Sequence, residues 1–236
     1  MKKSKLFLVL VLVAITFSPM AYGIVLQVKY SKTPTISQAE QAIQDPEQNS
    51  LPKKFDIPMT FYSQAPYGNW KQPWQDACEE ASLLLVANFY NEYNWTRAQF
   101  KDKILELVKW ENETFGDYKD NNTQQITQAL KDLFGLSSVI HENPTFEDIQ
   151  KILVQNHPII IPLAGKKIGN PFYKNGGPNY HVIVIKGYKA NQKVITEDVG
   201  TSFGKDYVYS WKTLENANHD YAIPITKGKK VIIEVL

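Results

Sequence analysis

Apolar positions in this chain follow two periods, and the change between them falls near residue 157. Upstream the spacing is helical. In "QDACEEASLLLVANFY" (75–90), Asp76 followed by Glu79 makes a capping-box pattern. Ala81, Leu83, Leu84, Leu85, Val86, Ala87 and Phe89 then put apolar groups on nearly every side of a helix predicted from about Asp76 to Tyr93. A helix apolar all round is a buried one. Thr96 caps a second helix through Phe100, Ile104, Leu107 and Val108, and "ENETFGDYKDNN" reads as a loop. Thr123–Phe134 is a third, amphipathic helix stopped by Gly135, and Thr145–Asn156 is a fourth. Downstream, "HPIIIPLA" (157–164), "YHVIVIKGY" (180–188), "KVITED" (193–198), "DYVYSW" (206–211) and "KKVIIEVL" (229–236) read as strands. Shorter strands are expected in "FDIPMTFYSQ" (55–64) and "LSSVIH", and a Gly/Pro-rich loop precedes Tyr180. Helices first and antiparallel strands afterwards define an α+β domain, with a helical half packed on a sheet half. A cleft between the halves is the natural place for a site.

The N-terminus has a different character. Lys2, Lys3 and Lys5 precede an apolar run from Leu6 to Phe17 and then Ala21-Tyr22-Gly23. That is the layout of a signal peptide over residues 1–23. Because apolar character continues to Val28, an uncleaved membrane anchor is the other reading. Either way the remainder is expected outside the cytoplasm, secreted or tethered. Residues 24–54 are polar, with Pro34, Pro46 and Pro52, and read as a linker. Residues 55–236 are one domain's worth of chain, expected to be monomeric. A net charge of +2 without a basic cluster argues against a nucleic-acid partner. The absence of CxxC, HExxH or a Cys/His cluster leaves no expected metal, and no organic cofactor is implied.

One cysteine excludes an internal disulfide and turns attention to the thiol itself. Cys78 falls in the first turn of the buried helix, where the dipole favours an anion and draws a thiol below its free value of about 8.5. A lone cysteine also packs well as a small hydrophobe. Its place at a helix start, in a chain expected to be exported, favours the reactive reading. A thiolate needs a base. His141, His157 and His219 sit at loops and read as inert surface groups. His181 opens an apolar strand straight after "NGGPN", placed to face a cleft. Pairing Gly187 with Lys193 in a hairpin brings Asp198 beside His181 as orienter, with Glu197 as the second choice. The Cys78 N–H and a glutamine amide would receive the oxyanion. Gln64, Gln72 and Gln75 are candidates, Gln75 lying too near the cap to reach back easily.

"FYSQAPYGNWKQPWQDACEEAS", "NYHVIVIKGY" and "ITEDVGT" together resemble the exported branch of the bacteriocin-processing (double-glycine leader) peptidase-like proteins, of the papain-like cysteine peptidase superfamily. The resemblance spans about residues 55 to 220. It implies a papain-like fold, a peptide or protein substrate and hydrolysis through an acyl-enzyme. Cys78 is then the nucleophile, His181 the base and acid, and Asp198 the orienter. Gln64 matches the branch's oxyanion glutamine, and Gln72 lies six residues before the cysteine, as in papain-like enzymes more generally. Glu79 stands where relatives often carry Gly, and Val199 where they often carry Pro. Tyr67, Trp70, Trp74 and Tyr180 are expected either to line a substrate groove or to close the core edge. An inactive peptide- or cell-wall-binding module and a transglutaminase-like acyl transferase are the alternative functions.

Overall fold

The computed structural model describes residues 50–236. The expected leader (1–23) and most of the linker lie outside the described residues. Five helices and seven strands follow one another: β1 (Phe55–Asp56), α1 (Cys78–Asn91), α2 (Arg97–Phe115), α3 (Thr123–Phe134), β2 (Ser138–Glu142), α4 (Phe146–Leu153), β3 (Ile159–Ala164), β4 (Tyr180–Lys189), β5 (Lys193–Glu197), β6 (Tyr207–Ser210), α5 (Trp211–Ala217) and β7 (Val231–Val235). The strands form one antiparallel sheet ordered β2-β7-β3-β4-β5-β6, and β1 pairs with the far end of β4.

Caps explain most helix boundaries. Thr96, Asn122 and Thr145 each accept the N–H three residues on, reciprocated by Gln99, Gln125 and Asp148. Gly116 and Gly135 end α2 and α3 in the left-handed region. α2 therefore runs to Phe115, through residues 111–115 that the sequence reads as loop. Glu111 is the reason: it belongs to the buried face, one turn beyond Leu107. The start of α1 also differs from expectation. Asp76 ends a 3-10 turn over Trp74–Asp76, Ala77 occupies the cap position without a side-chain bond, and Cys78 is the first helical residue. No capping box forms because Glu79 points inward, to Cys78 and Asn121.

The sheet separates two apolar layers. Val182 and Val184 of β4, with Ile160 and Ile233, pack against α1, α2 and α3. Ile183 and Ile185, with Ile159, Ile161 and Ile232, face α4 and α5. This is the period-2 alternation of a strand buried on both sides. Helices thus cover both faces rather than forming a single half. α1 lies between the sheet and the other two helices of its layer, which is why Leu83, Leu84, Leu85 and Val86 are all buried. It also carries buried polar groups: Glu79, Glu80, Ser82 and Asn88.

Candidate active site

The β4–β5 hairpin sets the first pair of groups. Its register is Lys189 with Lys193, Tyr188 with Val194 and Gly187 with Ile195. A bulge between Ile185 and Gly187 then puts Glu197 opposite Val184. Asp198, one residue beyond β5, reaches back to the start of β4, and its Oδ1 lies 2.9 Å from His181 Nε2. Both side chains are buried, His181 at 1 % and Asp198 at 0 % exposure.

Asp198 is held from several directions. Tyr173 Oη donates to it at 2.7 Å, Tyr209 Oη at 2.5 Å, Asn170 Nδ2 at 2.9 Å and the Gly200 N–H at 3.1 Å. Burial works to raise this carboxyl, but the bonds from His181, Tyr209 and Tyr173 outweigh it and hold it below the ordinary carboxylate range. An ionised carboxylate only accepts, so Nε2 of His181 carries the hydrogen and Nδ1 of the neutral ring carries the lone pair. That Nδ1 is buried and has no hydrogen-bond partner among the described residues. Asn170 and Tyr173 lie in the 165–179 loop, and the Tyr173 ring meets the imidazole edge-on at 5.4 Å. Gly200 allows the ring its place: a Cβ there would lie 2.6 Å from His181 Cε1.

α1 delivers the thiol to the neighbouring residue of the same strand. Ser82 Oγ donates to the Val182 carbonyl at 3.0 Å, fixing the second turn of α1 on β4. The Val182 backbone acts on the Cys78 thiol and lowers it. Cys78 and His181 both adjoin the start of β4. They are not hydrogen-bonded to each other, because Cys78 Sγ donates to Glu79 Oε2 at 2.9 Å. The expected lowering of the thiol is reversed. Burial first, then the Glu79 carboxyl, push it well above the ordinary value, and the Val182 backbone offsets only part of this. The helix-start effect is outweighed because Cys78 is 5 % exposed and the carboxyls of Glu79 and Glu80 act on it.

Gln64 ties the two ends of the site together. Its N–H donates to the Val199 carbonyl at 2.9 Å, and its Nε2 donates to Trp74 O at 2.9 Å and Gln75 O at 3.1 Å. Both amide hydrogens thus face the turn that leads into Cys78, while Oε1 is unpartnered among the described residues. Gln72 is exposed, bonded to Asp76 and Tyr118 on the outer side of the turn. A pocket of about 140 Å³ beside Gln64 is lined by Ala65, Pro66, Tyr67, Asn69, Trp74 and Lys101. Tyr67 and Trp74 thus border open space. Trp70 is half-buried outside that lining, and Tyr180 is buried, donating to Asn121 O at 3.0 Å. The other histidines are not the free surface groups expected. His141 and His157 both bond to Glu234 at 2.7 Å, and His219 is buried against Gly228 O and Lys167.

Asn170, Tyr173, Tyr209 and Gly200 are the site residues that sequence reading passes over. Their only signal is position, Asn170, Tyr173 and Gly200 in the loops flanking His181 and Asp198 and Tyr209 on β6. Among the described residues no three His, Cys, Asp or Glu groups converge as metal ligands, and no helix is long and apolar enough to cross a membrane.

A buried helix presenting its N-terminal cysteine to an antiparallel sheet, with a His–Asp pair at the end of the central hairpin, is the arrangement of a papain-like cysteine peptidase fold. Residues 56–223 match the Peptidase_C39 like family, and the chain belongs to that family. Among solved structures, a C39-like peptidase from Bacillus anthracis superposes with a TM-score of 0.51 at 16 % identity, covering 78 % of this chain and 98 % of its own. Xylellain, a cysteine protease from Xylella fastidiosa, gives a TM-score of 0.48 at 12 % identity, covering 79 % of this chain and 86 % of its own. No curated protein matches the chain.

Proposed function

We propose that the protein is an active cysteine peptidase that hydrolyses peptide or amide bonds through an acyl-enzyme, working outside the cytoplasm. The observation that carries this is the arrangement of His181: one ring nitrogen is fixed on an ionised Asp198, and the other is buried without a hydrogen-bond partner among the described residues, on the strand whose next residue, Val182, acts on the Cys78 thiol. Nδ1 takes the thiol proton, and the sulfur attacks the scissile carbonyl. The imidazolium then protonates the leaving amine. Water, deprotonated by the same nitrogen, releases the acid and restores the thiol. The oxyanion is received by the Cys78 N–H, free at the first helical position. Gln64 is the second donor, and to serve it must turn one amide hydrogen away from Trp74 O or Gln75 O.

The test is hydrolysis of a peptide library by the wild-type chain and by Cys78→Ala and His181→Ala. Each variant is expected to lose at least about a hundredfold in rate, general acid–base catalysis alone contributing that much. Cleavage that persists in Cys78→Ala, in a chain without another thiol, overturns the assignment.

A second reading, a peptide-binding module on the same scaffold, has one observation in its favour: the thiol is buried and bonded to a carboxyl rather than to the base. It predicts peptide binding that is unchanged in Cys78→Ala and no hydrolysis by the wild type.

A further inference from the structure

Glu79 follows the sulfur in sequence and meets it in space. Cys78 Sγ donates to its Oε2 at 2.9 Å, and its Oε1 accepts the Asn121 N–H at 3.0 Å. The carboxyl is thus held at both oxygens, 2 % exposed, by the helix that carries the thiol and the turn between α2 and α3. The complementary group is left unused. His181 Nδ1, the nitrogen that would take the thiol proton, is buried without a hydrogen-bond partner among the described residues. The proton on sulfur is therefore directed at an acid and not at the base. Burial first, then the charge of Glu79 and the bond to it, push the thiol up, and Glu80 adds to them. On Glu79 itself burial acts upward, and the bond from Cys78 is the largest pull the other way. That reciprocity is what a thiol donor and a carboxyl acceptor give: the contact favours S–H over thiolate. Glu111 and Asp120, which also act on Glu79, are acids too, so none of these groups offsets a charge on sulfur. A neutral carboxyl still accepts through its carbonyl oxygen, so the S–H contact holds in either state of Glu79.

We propose that Glu79 is a positioning residue that restrains the nucleophile: its carboxyl holds the Cys78 S–H to itself instead of to His181, so the thiol rests unreactive until that bond is broken. The inference rests on Cys78 being the reactive thiol and adds what holds it at rest. The proton balance is direct. For attack, S–H leaves Glu79 Oε2 and turns to His181 Nδ1, which takes the proton. The products are a thiolate and an imidazolium, and Glu79 neither gains nor loses a proton. An acceptor beside the sulfur works against this step, and a donor in its place would work for it.

The single cysteine makes the test clean, because iodoacetamide alkylation and the infrared S–H stretch report on Cys78 alone. Glu79→Gln keeps the size of the side chain and an oxygen for the Asn121 N–H, and turns an N–H donor toward the sulfur in place of an acceptor. At neutral pH the full-length variant is expected to alkylate about tenfold faster than wild type, one unit's worth of thiolate. Most of that gain should vanish in the double variant Glu79→Gln, His181→Ala, because a thiol released from Glu79 reacts through its pairing with the imidazole. A Glu79→Gln rate equal to or below wild type overturns the proposal. So does a gain undiminished without His181, the mark of a thiol merely uncovered. One measurement needs no variant to fold: in wild type the S–H band is expected at the lowered frequency of a hydrogen-bonded thiol, and a band at the free-thiol position overturns the proposal. Peptide hydrolysis is followed separately. The expected alkylation results without cleavage by any of these chains sink the peptidase reading alone, and cleavage with alkylation indifferent to Glu79→Gln sinks this one alone.

Discussion

At the residue scale the site is organised around one carboxylate. Asp198 takes bonds from two tyrosines, an asparagine and a backbone N–H besides the imidazole, so the His181 ring has its tautomer and its plane fixed before any substrate arrives. Gly200 is the tightest part of that arrangement. Gly200→Ala places a methyl group 2.6 Å from Cε1, and the ring must move, since the backbone beside it is tied to Asp198. Misplacing a catalytic group by about 1 Å costs about a hundredfold in rate. We expect that loss in kcat for peptide cleavage, with the melting temperature little changed. An activity within threefold of wild type, on a rate scale where one methyl is meant to displace the base, refutes the steric role. The meeting of His181 with Asp198 and the place of Cys78 at a helix start were legible in the sequence because each residue has a telling local place: a helix start, a strand start after glycines, a strand end. Asn170, Tyr173 and Tyr209 were not, because what marks them is contact with Asp198 across 11 to 28 residues of chain. The thiol's environment was misread for the same reason. The helix dipole is visible from Cys78's local position, whereas Glu111 and Asp120 reach its neighbour only through the tertiary fold.

At the element scale, α1 is the piece on which the site depends. Its apolar residues 81–87 have no exposed face, and a helix in that position cannot shift without opening both the sheet contact and the α2–α3 contact. Leu84 is 0 % exposed in mid-helix. Leu84→Ala is expected to destabilise the domain by about 2–5 kcal/mol, the range for emptying a packed leucine site. Urea unfolding followed by tryptophan fluorescence measures it, and a loss below about 1 kcal/mol would mean that α1 is not the packed centre of its layer. This centrality was legible, since a helix apolar on all sides has nowhere to go but inside. Thr96 and Thr145 were legible as helix starts, whereas Asn122, which caps α3 with Gln125, was not. The start of α1 was not, because the same spacing at Asp76 and Glu79 is used for something else. Glu79 turns to the thiol and Asn121, and the chain enters the helix uncapped by a side chain. The hairpin argument placed Asp198 near His181 from a register offset by two residues at the turn. The bulge at Lys186 removes one residue of that offset before the strands reach the site.

For the whole molecule, the buried acids make folding stability depend on pH in an unusual direction. Burial pushes Glu79 and Glu111 up to about 8 and Glu197 up to about 7, and raises Glu80 well above the ordinary value; both Glu80 carboxyl oxygens are buried without a hydrogen-bond partner among the described residues. Each holds, in the folded state, a proton that the unfolded chain releases near 4.5. Between those values the native state binds more protons than the unfolded one, so stability falls as pH rises. Their contribution is fully present below about 4.5 and is lost as pH climbs through 7 to 8. Asp198 has the opposite sign: its folded-state value is lowered, so its contribution exists above 3.8 and disappears as the medium becomes more acidic than that. Lys186, paired with Asp56 at 3.0 Å, Asp206 at 2.7 Å and, more loosely, Glu197 at 3.7 Å, offsets part of the rise of Glu197; it is itself raised from 10.5 and charged in both states throughout this range, so its own titration leaves the slope unchanged. The two opposing sets leave a maximum in the mildly acidic region. Melting temperature is expected to peak there and decline steadily toward pH 8, the reverse of a domain stabilised by surface carboxylates. Glu111→Gln keeps the size of the side chain while removing one titration, so its curve should fall less steeply over the same interval. Calorimetric scans of both chains across that interval decide the matter. A wild-type melting temperature that rises between pH 5 and 8, or a Glu111→Gln curve parallel to it, would mean that Glu79, Glu80 and Glu111 are solvated or paired with a cation in the folded protein.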